Sequence, residues 1–331
     1  MLTQLAASLP ILIRSFWILA TFAALVGLIP LPFAQGFRNA VLLSACRGKL
    51  MEIKPPHALG PLSDWTVPQK WFAHFYAIGA IWNAVITFFF LSSPLYYSLD
   101  PTHEAVYLMV LVLLEFHLVR RFLETVGLMR YPEQARMHGI AYLFGVVYYL
   151  VLPLTILPDD AFESIAQFDV KMEGVHGAAL GTAGKVGQDL LHLLSLRNKL
   201  GVGIFLLGSA LQSHSHYLLA RLAARSGIGS KSPRRRRSTS ITTGTKKTTT
   251  PRYRIPRGGG FDYVSCPHYL GEIVIYLGLV VLTGGLVTGP WLVLVWVVAN
   301  LVLAAGLTHH WYQEHFKTYP KRRRAIIPYI Y

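Results

Sequence analysis

Residues 273–307, IVIYLGLVVLTGGLVTGPWLVLVWVVANLVLAAGL, form an apolar run without a single charged side chain. A helix needs about 20 apolar residues to cross the hydrocarbon core of a bilayer, so this run can hold two spans that share a short turn. The rest of the chain agrees, because 53% of its 331 residues are hydrophobic and only 14% are charged. A soluble globular chain carries about 25% charged residues. The sequence therefore predicts an integral membrane protein.

Seven segments have the length of a membrane span. They should be helices, because an open strand would leave backbone groups unpaired in lipid. The segments lie at residues 10–33, 71–92, 104–127, 137–157, 200–224, 269–288 and 290–308. The predicted fold class is an all-α integral membrane protein with seven transmembrane helices, in one domain over residues 1–331.

The basic residues predict the orientation of these spans. The net charge of +15 comes mostly from lysines and arginines within residues 34–70, 120–130, 221–237 and 321–324, which all lie on one side if the count is seven. Because cytoplasmic loops carry an excess of such residues, the N-terminus is predicted to be lumenal and the C-terminus cytoplasmic. The same bias explains the basic composition without nucleic-acid binding. Arg14, inside the first span, runs against the pattern.

Two insertions interrupt the spans. Residues 158–199 are predicted to form a lumenal loop insertion with a short interfacial helix near their end. Residues 226–251 are rich in Ser, Thr and basic side chains and almost free of apolar ones. This composition predicts a disordered cytoplasmic insertion that lies close to an anionic leaflet.

Polar side chains gather where the third predicted span ends. His117, Arg120, Arg121 and Glu124 share one helical face at spacings i, i+3, i+4 and i+7. A ladder of ion pairs at the membrane interface, between either arginine and Glu124, explains the arginines. It does not explain a histidine one turn deeper, so a functional role for His117 stays open beside the structural one.

The fifth span ends with Gln212, His214 and His216. Residues two apart on a helix point about 200° away from each other, so the two histidines should face different surroundings and no metal site is predicted. The last span ends with His309 and Tyr312 on the same predicted side of the membrane. Polar groups that converge at one depth are typical of a buried site.

The stretch FDYVSCPHYLGE, residues 261–272, enters the sixth span at that side and carries Asp262, Cys266, His268 and Glu272. It follows three glycines and several arginines, and such a loop ahead of a helix N-terminus can hold phosphate. The chain has no G-x-G-x-x-G motif within a strand–helix repeat, so a Rossmann fold is not supported.

In these residues the chain resembles the steroid 5α-reductase family and, within it, the polyprenol (polyprenal) reductase branch. YRIPRGGGFDYVSCPHYLGEI at 253–273 is similar to the family's cytoplasmic loop and sixth span. HHWYQEHFKTYPKRRRAIIPYIY at 309–331 is similar to its C-terminal signature. WFAHFY at 71–76 and RRFLE at 120–124 resemble the branch, as does SCPHY, where steroid enzymes more often carry asparagine in place of His268.

The resemblance implies a reductase of the endoplasmic reticulum membrane that takes NADPH from the cytosol. It also implies a set of cofactor-binding residues: Gln212, His214, Tyr253, Arg254, His268, Glu272, Asn300, His309 and Tyr312. His117 lies near the position where the steroid enzymes use a tyrosine to hold the substrate carbonyl. His117, Tyr76 and His74 are therefore the candidates for the acid, and Glu124 completes the predicted catalytic set.

The chemistry restricts the form of the substrate. Hydride adds to an alkene carbon only if the charge left behind is delocalised, which an unsaturated aldehyde permits and an allylic alcohol does not. We therefore expect a long-chain polyprenal from the bilayer, reduced to dolichal for the dolichol that protein N-glycosylation uses. The alternatives are a 3-oxo-Δ4 steroid reductase, an isoprenylcysteine methyltransferase-like enzyme and a small-molecule transporter, whose polar groups should instead lie near mid-bilayer.

Overall fold

The computed structural model describes residues 2–53, 60–166, 195–227 and 253–331. The α-helices within these ranges are α1 Leu2–Leu28, α2 Gln35–Ala45, α3 Phe72–Leu91, α4 Pro94–Ser98, α5 Pro101–Leu123, α6 Gly139–Ile156, α7 Ala161–Ala166, α8 Leu196–Arg225, α9 Pro267–Leu282 and α10 Thr288–His315. Two short strands, β1 Thr66–Pro68 and β2 Arg136–His138, pair antiparallel with Thr66 opposite His138.

Each of the seven predicted segments corresponds to one helix. In chain order these helices are α1, α3, α5, α6, α8, α9 and α10. Within the described ranges, four stretches are long and apolar enough to cross a membrane: Ala6–Leu28, Gln69–Leu91, Gly139–Ile156 and Thr288–His315. The class of helical membrane protein is thereby confirmed. The predicted insertion at 226–251 lies almost wholly outside the described residues, as does most of 158–199; the described ends of the latter belong to α7 and to α8, which begins at Leu196.

Aromatic side chains fill the centre of the bundle where α1, α6 and α10 meet. Trp17 is fully buried, and its indole Nε1 donates a 2.8 Å hydrogen bond to Thr155 Oγ1. Its ring lies against Tyr148 and Trp296, with centroids 5.4 and 5.7 Å away. Because buried indole groups need an acceptor, this bond fixes the register of α1 on α6.

Arg14, the residue that departs from the charge pattern, forms an ion pair with Asp159 just beyond α6. The carboxylate offsets the charge on α1, so a single arginine at this end is compatible with the predicted orientation. Both side chains are about half exposed, and the pair contributes little to folding stability.

Glycines allow α8 and α9 to approach at backbone distance. Gly201 and Gly208 on α8 face Gly278 and Gly271 on α9. A Cβ added at Gly208 would lie 2.7 Å from the carbonyl oxygen of Gly271, and one at Gly278 would lie 2.5 Å from the backbone nitrogen of Phe205. Small residues at such spacings are typical of tightly packed membrane helices. The contact brings the two helices close where their polar side chains meet.

We expect Gly208→Ala to lower the melting temperature, because its methyl group must push α8 away from α9. Overpacking of this kind costs about 1–3 kcal/mol. Gly203→Ala is the matched control, since nothing lies within 4 Å of its added Cβ and alanine is the better helix former by about 1 kcal/mol. Cys46 and Cys266 form no disulfide and both are buried, so a thiol-reactive fluorophore can follow unfolding in detergent. Equal melting temperatures for the two variants would contradict the close packing.

The C-terminal residues fold back onto the loop before α9. The backbone nitrogens of Ser265 and Cys266 donate to the carbonyl oxygens of Arg324 and Ala325, at 2.8 and 3.1 Å. Arg323 is buried and donates from Nη1 to the carbonyl oxygen of Pro256 at 3.1 Å. The tail therefore holds the loop 253–266 against the bundle.

Candidate active site

Glu124 accepts hydrogen bonds from three side chains at the end of α5, and His216 Nδ1 lies 2.7 Å both from its carboxylate and from Arg121 Nη1. It begins the π-helical turn Glu124–Leu128 that continues α5, a feature that often marks functional sites. Arg120 Nη1 and Arg121 Nη1 donate at 2.8 and 2.6 Å, and Ser213 Oγ on α8 donates at 2.5 Å. The predicted ion pairing between the arginines and Glu124 is confirmed, and it is largely buried.

Gln212 connects this carboxylate to a second one. Its Oε1 accepts a 2.6 Å hydrogen bond from Arg120 Nη2, and its Nε2 donates to Glu272 Oε2 on α9. The side chain is 4% exposed, so both bonds lie away from solvent. Glu124 and Glu272 therefore belong to one hydrogen-bonded network that joins α5, α8 and α9.

His117 lies between Arg120 and Glu272 and is 1% exposed. Its Nδ1 is 3.1 Å from Arg120 Nη2. Because a guanidinium can only donate, Nδ1 is the acceptor and the ring proton is on Nε2. Nε2 lies 3.4 Å from Glu272 Oε1, a close approach whose geometry falls short of a hydrogen bond. The imidazole thus holds a proton next to a carboxylate.

Of the two remaining candidate acids, Tyr76 belongs to the network and His74 does not. Tyr76 is buried, its hydroxyl accepts a 2.9 Å bond from Arg121 Nη2, and its ring lies under that guanidinium. His74 is exposed and its Nδ1 is 3.0 Å from the Tyr142 hydroxyl. The structure thus brings together one set of predicted residues: Tyr76, His117, Glu124, Gln212 and Glu272.

His268 offers a free polar atom beside the network. Its Nδ1 is buried and has no hydrogen-bond partner in the part of the chain that the structure describes. Its ring lies 5.6 Å from that of His216. A buried nitrogen without a partner costs about 1–3 kcal/mol, so a bound group that pairs with it would restore that loss.

His214, two residues after Gln212 on α8, is exposed and lies against the glycine loop of residues 258–260. A Cβ added at Gly259 would lie 2.7 Å from its Cε1, and Gly259 has φ +55°. Glycine is therefore required there for two reasons, the close approach and the left-handed backbone. The prediction that His214 and His216 face different surroundings is confirmed, since His216 is buried.

A second polar group forms where α10 ends. Ser265 Oγ lies 2.6 Å from His309 Nδ1 and 2.6 Å from the Tyr319 hydroxyl. Tyr312 stacks on Tyr319 with ring centroids 5.3 Å apart, and Lys49 Nζ lies 3.3 Å from the centroid of the Tyr312 ring. Asn300, the remaining predicted cofactor residue on α10, is partly buried nine residues before His309, or about 13–14 Å along the helix axis.

An open cleft of about 430 Å³ lies beside this second group. Its lining consists of Tyr253, Arg254, Ile255, Arg257 and Phe316. Both arginines are exposed. Two cations above an aromatic floor suit a ligand that carries phosphate and a flat ring.

Comparison with known proteins places this arrangement in a family. A family model described as 3-oxo-5-alpha-steroid 4-dehydrogenase matches residues 186–331. Over 95% of both chains, the sequence is 34% identical to polyprenal reductase 1 of Arabidopsis thaliana. It is 30% identical to polyprenal reductase 1 of Oryza sativa subsp. indica over 95% of each chain, and 27% identical to polyprenal reductase of Homo sapiens over 96%. The chain belongs to the steroid 5α-reductase family, in its polyprenal reductase branch.

The contacts of Cys266 and Asp262 indicate structural roles. Burial raises the pKa of the Cys266 thiol to about 12, so it stays protonated at neutral pH and is no nucleophile. Asp262 is exposed, and its Oδ1 accepts a 2.9 Å bond from the backbone nitrogen of Gly258.

Sequence reasoning missed several members of the two groups. His216 could have been found, because it follows Gln212 by one helical turn and shares its face. Ser265 and Tyr319 are far apart in sequence and meet only because the tail folds back. Lys49 lies in the turn after α2, where no pattern indicates a contact with α10. Among the described residues, no group of three or more His, Cys, Asp or Glu could hold a metal ion.

Proposed function

We propose that this chain is a polyprenal reductase that uses NADPH to reduce the α-isoprene double bond of polyprenal, giving dolichal for dolichol synthesis and protein N-glycosylation. The observation that carries the proposal is the buried network in which His117 holds a proton between Arg120 and Glu272. Proteins named polyprenal reductase match nearly the whole chain, which supports the same activity here.

We place the protein in the endoplasmic reticulum membrane with seven spans, its N-terminus lumenal and its C-terminus cytoplasmic. The basic residues favour this orientation. The network and the cleft then both lie at the cytoplasmic end, where a cofactor arrives from the cytosol, and the isoprenoid tail stays in the bilayer. Extraction of that tail into water would cost about 0.8 kcal/mol per CH₂.

The nicotinamide cofactor, when bound, supplies a hydride to the β-carbon of the unsaturated aldehyde. The residues of the chain must then stabilise the enolate and deliver a proton to the α-carbon. His117 is placed to give that proton from Nε2 in its imidazolium form, which arises when Nδ1 releases Arg120 and takes up a proton, because the neutral ring held between Arg120 and Glu272 is too weak an acid. Glu124 acts on the arginines and thereby holds Tyr76 and Gln212 in place. His74 stays a candidate of lower rank, since it is exposed.

Three groups of described residues are suited to bind NADPH. The cleft of Tyr253, Arg254 and Arg257 suits the adenosine phosphates. His309 and Tyr312 lie beside it at the end of α10, and Lys49 covers Tyr312. The unpartnered Nδ1 of His268 supports a polar contact nearer to the network, where Gln212 and Glu272 are the further ligands of the proposal. His214 and Asn300 complete the proposed set.

Arg254→Ala is expected to raise the KM for NADPH about tenfold, because the exposed guanidinium would pair with the phosphate on the adenosine ribose. The KM for NADH, which lacks that phosphate, should change less than twofold. Arg225→Ala is the control, since Arg225 is an exposed arginine on α8 that does not line the cleft. An equal rise in both KM values for Arg254→Ala would overturn this placement of the cofactor.

The function is tested by turnover in mixed micelles with NADPH and one of two substrates. Polyprenal should be converted to dolichal, and a 4-ene-3-one steroid should not react. The steroid is the specific alternative because the family model that matches residues 186–331 describes a steroid dehydrogenase. Turnover of the steroid without turnover of polyprenal would replace the proposed function with that alternative.

A further inference from the structure

Two buried tyrosine hydroxyls meet between α6 and α9. The hydroxyl oxygens of Tyr148 and Tyr276 lie 2.6 Å apart. The two side chains are 6% and 2% exposed. The rings of Trp17 and Trp296 pack on Tyr148 with centroids 5.4 and 4.8 Å away, so water is excluded from this face of the pair.

The pair carries one more proton than its own hydrogen bond uses. Each hydroxyl has one hydrogen, and the bond between them employs only one of the two. The second hydrogen has no acceptor in the part of the chain that the structure describes. A buried donor without an acceptor is costly, so the position favours a ligand that brings an oxygen acceptor.

The pair lies next to the network on its membrane side. Tyr276 follows Glu272 by four residues on α9, which is one turn or about 6 Å. The His117 ring is 6.3 Å from the Tyr276 ring. A substrate that enters from lipid with its aldehyde foremost would reach the tyrosines and His117 together.

The other candidate donors, His117 and Tyr76, lie against charged groups of the network. His117 Nδ1 accepts from Arg120, and its Nε2–H faces Glu272 at 3.4 Å. The Tyr76 hydroxyl is held by Arg121. The tyrosine pair lies one helical turn deeper than Glu272 and keeps a hydrogen that no described neighbour accepts, and a bond between two hydroxyls strengthens the donor at its end.

Resting on the proposed function, we propose that the Tyr148–Tyr276 pair donates the hydrogen bond that holds the aldehyde oxygen of the substrate. When hydride adds to the β-carbon with both its electrons, the former double-bond electrons form an enolate whose charge rests on that oxygen. The phenol keeps its proton and stabilises the charge. The α-carbon then takes a proton from the imidazolium form of His117, which becomes the neutral imidazole, and the carbonyl re-forms. The reductant is the nicotinamide cofactor of the proposed function.

The test compares Tyr148→Phe, Tyr276→Phe and the double variant with polyprenal and NADPH. Each single variant keeps one hydroxyl that can donate, so kcat should fall no more than about tenfold. The double variant has no donor, and loss of such a donor lowers kcat about 10²–10³-fold. A bond that only ties α6 to α9 is broken by either single change, so equal losses in all three variants would overturn the proposal. Tyr217→Phe, at an exposed tyrosine on α8, is the control and should retain full turnover.

A second readout needs no cofactor and no catalysis. The infrared carbonyl stretch of ¹³C-labelled dolichal bound to the wild-type protein should lie below that in detergent alone, and the double variant should remove this shift. An unshifted stretch in the wild type overturns the proposal even if the double variant fails to fold. A wild type that reduces no polyprenal refutes the proposed function, and this inference with it. Normal turnover by a folded double variant refutes the inference alone.

Discussion

Glu124→Gln is expected to destabilise the folded protein by about 3–5 kcal/mol, the usual cost of removing one partner of a buried ion pair. The amide has the same size as the carboxylate, so no cavity contributes to the loss. Arg120 and Arg121 would keep their charges while they lose the only carboxylate that pairs with them among the described residues. The amide keeps one acceptor oxygen, so the contact of either Ser213 or His216 with the carboxylate is lost as well.

The melting temperature in detergent, followed with the thiol-reactive fluorophore, measures this effect. Glu133→Gln is the control, because Glu133 is exposed on the loop that follows α5. The loss should appear as a much lower melting temperature and a lower yield of folded protein. A Glu124→Gln protein as stable as the control would show that Glu124 does not hold the arginines in place.

Glu272→Gln is expected to lower kcat about 100-fold and leave the melting temperature within a few degrees of the wild type. Glu272 forms no salt bridge with a lysine or arginine in the described residues, and its neighbours are the Gln212 amide and His117. Its charge therefore adds little to stability. Loss of the Glu272 charge removes the negative partner that orients the His117 proton. This orientation matters chiefly in the transition state.

Steady-state kinetics with polyprenal separate this effect from a folding defect. Glu314→Gln is the matched control, since Glu314 also pairs with a histidine, His310, at 3.0 Å, but on the surface. We expect the loss in kcat for Glu272→Gln with little change in KM. A normal kcat in this variant, or a loss matched by Glu314→Gln, would remove Glu272 from the site.

Local sequence patterns predict the helices and the face that the residues near Glu124 share, but not which side chains Glu124 and Glu272 contact. The run at 273–307 and the five other predicted segments indicate helices, because long apolar segments leave no other structure possible in lipid. The i, i+3, i+4 and i+7 spacing from His117 to Glu124 predicts that these residues share a face. The structure adds that Glu124 binds both arginines while Glu272 binds neither.

The remaining features of the site depend on contacts between helices, which the periodicity of one helix does not specify. His74 and Tyr76 are two residues apart, so only one of them can face the network, and their identities do not say which. The hydroxyl pair of Tyr148 and Tyr276 joins residues 128 positions apart. It exists because the packing of α6 and α9 places both rings at one depth. Ser265 likewise meets Tyr319 only through the return of the tail.

The central claim is that this chain reduces an unsaturated aldehyde by conjugate addition of hydride. The most direct measurement uses NADPH deuterated at C4, with polyprenal or polyprenol as the substrate and mass spectrometry of the product. We predict dolichal with one deuterium at the β-carbon from polyprenal, and no reduced product from polyprenol alone. Reduction of polyprenol, deuterium at the α-carbon, or no reaction with polyprenal would each contradict it.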